Sequence, residues 1–200
     1  MRPVTVFIAC ALAACLQADT RAATNAATAP LTLMSARVSL DGTSNIHPFT
    51  ASTSTVHLTA VAIGSTTTGD VLDDVLKPGG LTAFEVRIPT KGLTSPKEGI
   101  DKKMHKALKQ EEFPNIRFRL RALDTSPGGG YRAVGSLAIA GVEHEVTLSA
   151  QARRDGSSLA VTAMTDLLMT DYGITPPTAL MGLLKTDPKI QIRLELMLVK

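Results

Sequence analysis

The chain has 200 residues, of which 44% are hydrophobic, 20% are charged and 4% are aromatic, and its formal net charge is +3. This length and apolar content predict one globular domain after a short N-terminal segment. The low net charge and the lack of tryptophan argue against a general nucleic-acid-binding surface and against a base-stacking platform.

The N-terminal segment has the pattern of an export signal. Arg2 supplies a positive charge, residues 4–14 form an apolar run, and small and polar residues follow. The run is too short to cross a bilayer as a helix. We therefore predict a signal peptide over residues 1–23, a flexible Ala- and Thr-rich tether over residues 24–30, and a mature domain over residues 31–200.

Two modes of processing fit this signal. Residues 12–15 resemble a bacterial lipobox, in which Cys15 becomes the lipidated first residue of the mature protein. The alternative is ordinary cleavage after Ala18 or Ala22. In both cases Cys10 is lost, so the mature domain has no disulfide and depends on burial for its stability.

The sequence of the mature domain is typical of an antiparallel sheet. Short segments in which apolar and polar residues alternate are separated by turn residues such as Gly, Pro and Asp. About eight strands are predicted, over residues 37–44, 50–63, 81–89, 115–123, 131–140, 145–153, 158–166 and 189–199. A closed up-and-down β-barrel suits this series because closure removes exposed strand edges. A two-sheet sandwich is the alternative architecture.

The alternation is clearest over residues 115–123. One set of side chains is apolar and the other is basic: Ile116, Phe118, Leu120 and Ala122 alternate with Arg117, Arg119 and Arg121. Successive side chains of a strand point to opposite faces, so one face meets the interior and the other meets water. A barrel of about eight strands can be filled by side chains or can hold one ligand.

One amphipathic helix precedes this strand. Ser95 is the predicted N-cap, with Pro96 at the first helical position and Glu98 at the third. The apolar face carries Ile100, Met104 and Leu108, one turn apart.

The opposite face of the helix is basic and carries Lys102, Lys106 and Lys109. The simpler interpretation is a solvated outer face. The functional interpretation is that the helix covers an opening of the barrel and presents its ammonium groups to a phosphate headgroup or an anionic membrane surface.

Patterns for catalysis and metal binding are poor. The histidines, His47, His57, His105 and His144, have no ligand spacing. Asp70, Asp73 and Asp74 lack the calcium-loop pattern and predict a polar turn. No Gly-x-Ser-x-Gly elbow surrounds a serine. We therefore expect no enzyme activity, no metal and no cofactor.

Four segments carry a resemblance to a known family. They are residues 101–108 (DKKMHKAL), 113–118 (FPNIRF), 135–142 (GSLAIAGV) and 169–174 (MTDYGI). In this order they resemble the YceI-like lipid/polyisoprenoid-binding family over the whole mature domain. The resemblance implies a lipocalin-like antiparallel barrel in the bacterial periplasm, with an apolar channel for a long isoprenoid or fatty chain.

The residues on the inward faces of the predicted strands are expected to line this channel, and residues of the helix and of neighbouring segments are expected to lie near its opening, the mouth. The predicted lining is Phe84, Val86, Ile88, Ile116, Phe118, Leu120, Leu137, Ile139, Leu194 and Leu196, and the predicted mouth residues are Met104, Leu108, Phe113, Met169 and Tyr172. The predicted function is carriage or storage of such a lipid. The alternative is a structural envelope protein whose barrel is packed shut, and a lipid-modifying enzyme is a third class.

Overall fold

The computed structural model describes residues 31–64, 69–179 and 183–200. The predicted signal peptide, the tether and Cys15 lie outside the described residues. The ten strands are β1 (Thr32–Ser44), β2 (Pro48–Thr53), β3 (His57–Ile63), β4 (Leu81–Pro89), β5 (Asn115–Thr125), β6 (Tyr131–Ile139), β7 (Val142–Asp155), β8 (Ser158–Leu168), β9 (Thr178–Ala179) and β10 (Leu184–Val199).

The strands form one strongly curled antiparallel sheet, in the order β2-β1-β10-β8-β7-β6-β5-β4-β3, with β9 paired to β10. The mostly-β, barrel-like fold is therefore confirmed, and the two-sheet sandwich is not what forms. Full closure was wrong: the two ends of the sheet are β2 and β3, and no ladder joins them within the described part of the chain. The gap between β2 and β3 is called the seam below. Beside the seam, Ser52 of β2 and Thr94 exchange two backbone hydrogen bonds of 2.8 and 3.0 Å.

The single strand predicted over residues 50–63 is two strands, β2 and β3. Residues 54–56 leave the ladder, and the Thr53 hydroxyl accepts a hydrogen bond from the backbone N–H of Thr55 at 3.0 Å. A threonine side chain that bonds its own backbone in this way competes with strand pairing. The chain therefore crosses from one end of the sheet to the other at this point.

Within the described residues, the helices are α1 (Val71–Asp74) and α2 (Glu98–Ala107), with two short 3-10 helices, η1 (Thr90–Gly92) and η2 (Met169–Tyr172). No helix among the described residues is both long and apolar enough to cross a bilayer. Helix α1 forms where a polar turn was predicted, because the Asp70 side chain accepts from the N–H of Leu72 and caps it. Asp74 is buried and pairs with Lys77 at 2.6 Å.

The outer face of β5 is basic, as the alternation predicts. Arg119 Nε donates to Glu85 Oε2 at 3.0 Å, and Arg117 Nε lies 3.7 Å from Glu85 Oε1. Partial burial would raise the pKa of Glu85, but the hydrogen bond from Arg119 and the two positive charges outweigh it and hold that pKa below its usual range.

The inner face of β5 departs from strict alternation at its end. A bulge between Leu120 and Ala122 shifts the register against β6. Ala122 is therefore exposed, which corrects its predicted inward position, and Leu123 takes the inner position instead. An inserted bulge residue moves all later side chains of a strand to the other face.

Candidate functional site

The curled sheet encloses an apolar cavity of about 310 Å³, called the mouth cavity below. Its wall comes from β1, β2, β4, β5, β6, β10, helix α2 and helix η2. The predicted site residues that line it are Ile88, Met104, Leu108, Ile116, Leu137, Ile139, Met169 and Tyr172.

A second cavity of about 90 Å³, the inner cavity, lies deeper in the sheet. The predicted site residues that line it are Phe84, Phe118, Leu120, Leu194 and Leu196. Val75 and Leu76, at the end of helix α1, also line it. Helix α1 packs with Leu31, Leu159 and Leu198 in a small hydrophobic cluster, which closes this end of the sheet.

Two predicted site residues line neither cavity. Val86 is buried to 1% exposure within the main core. Phe113 packs its ring against the tight turn between β6 and β7, where a Cβ on Gly141 would overlap the ring. Ala140 and Gly141 both have positive φ, 51° and 85°. Position 141 therefore requires glycine for two reasons: its backbone conformation and the Phe113 ring that packs against it.

Helix α2 lies over the mouth cavity, and its apolar face, Ile100, Met104, Ala107 and Leu108, forms part of the wall. This is the covering position that the sequence predicted. A tilt of the helix would open or narrow the cavity, so the contacts that hold the helix in place matter for access.

The start of α2 differs from the prediction. Lys97 is the N-cap, without a side-chain cap bond, and the helix begins at Glu98. Ser95 forms a local turn instead: its hydroxyl accepts from the N–H of Lys97 at 3.2 Å and donates to the Lys97 carbonyl at 2.9 Å. The predicted Ser95 cap was wrong because this short-range turn uses the hydroxyl before it can reach the helix.

The helix is tied to the preceding segment by two of its own side chains. Asp101 Oδ1 accepts from the N–H of Ser95 at 2.7 Å. His105 Nε2 lies 2.8 Å from the carbonyl oxygen of Leu93, and because a carbonyl only accepts, this nitrogen carries the proton. Asp101 and His105, which the sequence places one turn apart, thus each bind backbone of the segment below.

Replacing Asp101 with alanine should lower the free energy of unfolding by about 1 to 2 kcal/mol, because the half-buried N–H of Ser95 loses its acceptor. Chemical denaturation followed by circular dichroism measures this. Ser95→Ala is the comparison and should cost less, since its hydroxyl bonds lie at the exposed surface. Equal stability of Asp101→Ala and the wild type would show that Asp101 does not anchor the helix.

Helix η2 contributes Met169 and Tyr172 to the wall of the mouth cavity. Gly173 ends η2 with a φ of 65°, a left-handed conformation that glycine adopts at low cost. The ring of His144 meets Tyr172 edge to face at 5.3 Å, and His144 Nε2 donates to the Asp171 carbonyl at 2.8 Å.

The Tyr172 hydroxyl is buried and has no hydrogen-bond partner among the described residues. Burial, with a smaller contribution from the charge of Asp171, raises its pKa to about 12. The hydroxyl therefore stays neutral at physiological pH and keeps its proton.

The mouth of the larger cavity carries positive charge. Lys97 and Lys103 line it together with His47, and no carboxylate is among the described side chains that do so. The predicted basic face is placed differently: Lys102, Lys106 and Lys109 are exposed and line neither cavity. Lys102 and Lys106 lie on the solvated outer side of the helix. Lys109, predicted on the same face, lies beyond the end of α2 with a φ of 49°.

Sequence reasoning missed several wall residues. Val38, Leu40, Phe49, Leu93, Ile174, Ile190 and Ile192 also line the mouth cavity. A signal existed for Phe49, which pairs with Gly42 across the edge strand and would collide with a Cβ at that glycine. An aromatic ring opposite a glycine on an edge strand is a recurring way to cover the exposed backbone.

Metal-binding geometry is not found in the described ranges, where no group of three or more His, Cys, Asp or Glu side chains could hold an ion. Asp70 and Asp73 instead both accept hydrogen bonds from Arg154, each at 2.6 Å. The cavities are thus the principal candidate site.

The family model of the YceI-like domain matches residues 23–197. This chain belongs to the YceI-like family. The resemblance drawn from four sequence segments is therefore confirmed. Among curated proteins, no match to the sequence is found.

Solved structures with the same fold include YceI-like and polyisoprenoid-binding proteins. BcnA of Burkholderia cenocepacia has a TM-score of 0.65 at 13% identity, with 81% of this chain and 95% of that chain covered. The YCEI protein of Campylobacter jejuni has a TM-score of 0.59 at 12% identity, with 75% and 84% covered. A polyisoprenoid-binding domain from Saccharophagus degradans, implicated in plant cell wall breakdown, has a TM-score of 0.56 at 10% identity, with 84% and 97% covered.

Proposed function

We propose that this YceI-like protein binds a long-chain lipid, isoprenoid or fatty, with the chain inside the curled sheet, and that it carries or stores that lipid. The observation that carries the proposal is the apolar mouth cavity of about 310 Å³ beneath helix α2. Ligand pockets in proteins usually have volumes of about 300 to 1,000 Å³, so this cavity has the size of a small binding site.

The apolar wall is sufficient for affinity without polar contacts. Each buried methylene contributes about 0.8 kcal/mol, so a chain of moderate length gains most of its binding energy from the wall alone. The fold relationship to a domain that binds polyisoprenoids supports the same class of ligand. The proposal concerns binding rather than catalysis.

We further propose that the protein acts in the periplasm. The basic, apolar and small-residue order of residues 1–23 supports export. Mass measurement of the mature N-terminus distinguishes the two modes of processing: lipidated Cys15 adds an acyl-sized mass, whereas cleavage after Ala18 or Ala22 leaves an unmodified terminus.

The direct test is mass spectrometry of the organic extract of protein purified from its native envelope, with a long-chain lipid expected in stoichiometric amount. The matched variant is Ala107→Trp, which places an indole inside the mouth cavity. Because each lost methylene contact weakens binding about fourfold, Ala107→Trp should reduce the affinity for myristate by about tenfold or more in a fluorescent-probe displacement assay.

Lys106→Trp is the control, since Lys106 is the preceding residue of the same helix, exposed and outside both cavities. It should bind myristate as the wild type does. An extract without lipid, together with equal affinities for both variants, would favour the structural envelope protein over the carrier.

The lysines at the mouth should select for anionic headgroups. Replacing Lys97 and Lys103 with glutamate is expected to weaken myristate binding about three- to tenfold, because exposed charge pairs contribute up to about 1 kcal/mol each. The neutral analogue, myristyl alcohol, should be affected less. Both affinities are measured by probe displacement at low salt.

The control for this pair is the charge reversal of Lys102 and Lys106, which carries the same net charge change on the outer side of the helix. If both double variants lower myristate affinity equally, the effect comes from net charge and not from the mouth lysines.

A further inference from the structure

The two cavities are separated by cross-strand pairs of side chains, with one member of each pair on either side. Phe118 of β5 pairs with Leu137 of β6, and Leu194 of β10 pairs with Val38 of β1. In each pair the first residue lines the inner cavity and the second lines the mouth cavity. The cavities therefore lie end to end along the strands, with these four side chains, called the waist, between them.

The order of residues along single strands shows the same arrangement. On β10, Ile190 and Ile192 line the mouth cavity, whereas Leu194 and Leu196 line the inner cavity. On β5, Ile116 lines the mouth cavity and Leu120 lines the inner cavity. A chain that entered at the mouth and followed the strands would reach the waist before the inner cavity.

Phe118 is the aromatic residue of the waist, and its ring is held from several sides. The side chain is 7% exposed. Its other cross-strand neighbour is Val86 of β4, 1% exposed. Gly135 lies under the ring, because a Cβ at Gly135 would come within 2.6 Å of two ring carbons. The missing side chain at Gly135 thus provides the space in which the ring sits.

We propose that Phe118 is a specificity-determining residue that sets the length of chain the protein accepts. This inference rests on the proposed lipid binding. A chain that fits the mouth cavity ends at the waist, where Leu137 lines the mouth cavity and the Phe118 ring stands on the inner side. A longer chain enters the inner cavity only when the ring is displaced or removed. Otherwise the methylenes that do not fit the mouth cavity remain in water.

The proposal predicts how affinity depends on chain length. Each methylene that becomes buried raises affinity about fourfold. In the wild type, affinity should rise with chain length until the chain end reaches Phe118, and then stay level. Without the ring, the rise should continue because the mouth cavity, about 310 Å³, joins the inner cavity, about 90 Å³.

The experiment compares decanoate, myristate and stearate, each below its micelle concentration, by displacement of a fluorescent probe. The proteins are the wild type, Phe118→Ala, Phe118→Leu and Leu123→Ala. The leucine variant removes the ring with less loss of packing, which keeps the test valid if Phe118→Ala does not fold. Leu123→Ala is the matched control because Leu123 also lines the inner cavity but is not part of the waist.

We expect the ratio of stearate to myristate affinity to rise about tenfold or more in the Phe118 variants and to stay at the wild-type value in Leu123→Ala. An unchanged ratio in both Phe118 variants, or an equal rise in Leu123→Ala, would overturn the role of the ring. If none of the three acids binds the wild type, the proposed lipid binding itself fails, and this outcome differs from an unchanged ratio.

Discussion

Phe118→Arg should lower the free energy of unfolding by several kcal/mol, enough to leave much of the protein unfolded at room temperature. The guanidinium would stand at the waist between two apolar cavities, where no carboxylate is among the described lining side chains. An uncompensated charge in such a place retains a desolvation cost of several kcal/mol, and natural domains have only about 5 to 15 kcal/mol of stability. Urea denaturation followed by far-ultraviolet circular dichroism, together with the yield of soluble protein, measures the effect.

Arg119→Ala is the control on the same strand. Its side chain is 57% exposed and pairs with Glu85 on the outer face, and exposed ion pairs contribute at most about 1 kcal/mol. A large loss in Arg119→Ala, or a Phe118→Arg variant as stable as the wild type, would mean that the inner and outer faces of β5 are assigned wrongly.

Gly135→Ala should destabilise the protein by about 2 to 3 kcal/mol, a typical cost of overpacking a close-packed interior. The added methyl would lie 2.5 Å from the carbonyl oxygen of Arg119 and 2.6 Å from two ring carbons of Phe118. The ring is packed at the waist, and the carbonyl belongs to the paired strand β5. The denaturation midpoint of the variant therefore tests how tightly the ring is seated.

Gly128→Ala is the matched control, because a Cβ at Gly128 would meet nothing within 4 Å, and it should leave stability nearly unchanged. A double-mutant cycle separates the two contacts at Gly135. In a Phe118→Ala background, Gly135→Ala should cost less, and the remaining cost reports the Arg119 carbonyl. Full additivity of the two changes would contradict direct contact between the ring and residue 135.

The alternation of side chains was enough to predict the barrel-like fold and a part of the cavity wall. On β5 the apolar Ile116 and Phe118 face inward and the basic Arg117 and Arg119 face water, because period-two patterning records which face is buried. The same pattern carries no information on which strands become neighbours. The alternation could therefore not predict the open seam between β2 and β3, because a closed sheet and an open sheet bury the same strand faces.

Local side-chain hydrogen bonds account for the other differences. Thr53 bonds the backbone of Thr55 and ends β2, and Ser95 forms a turn with Lys97 rather than capping α2. Hydroxyl residues stabilise several competing local structures with similar energies, so the sequence alone does not select among them. The division of the interior into two cavities at Phe118 could not be predicted either. The sequence pattern of an inward-facing phenylalanine is the same whether the residue packs in a filled core or lines a cavity.

The seam has a mechanical consequence for the size of the interior. In a sheet that closes on itself, strand number and shear fix the radius, and a wider bore would need another strand or a new register. Here residues 54–56 join β2 to β3 at one end of the seam, and Ser52 of β2 also pairs with Thr94, which lies in the segment between η1 and α2. No ladder joins the two end strands within the described residues. No closed ladder therefore fixes the circumference of this sheet: away from residues 54–56, its edges can spread or approach while every ladder from β2 to β3 along the sheet keeps its register.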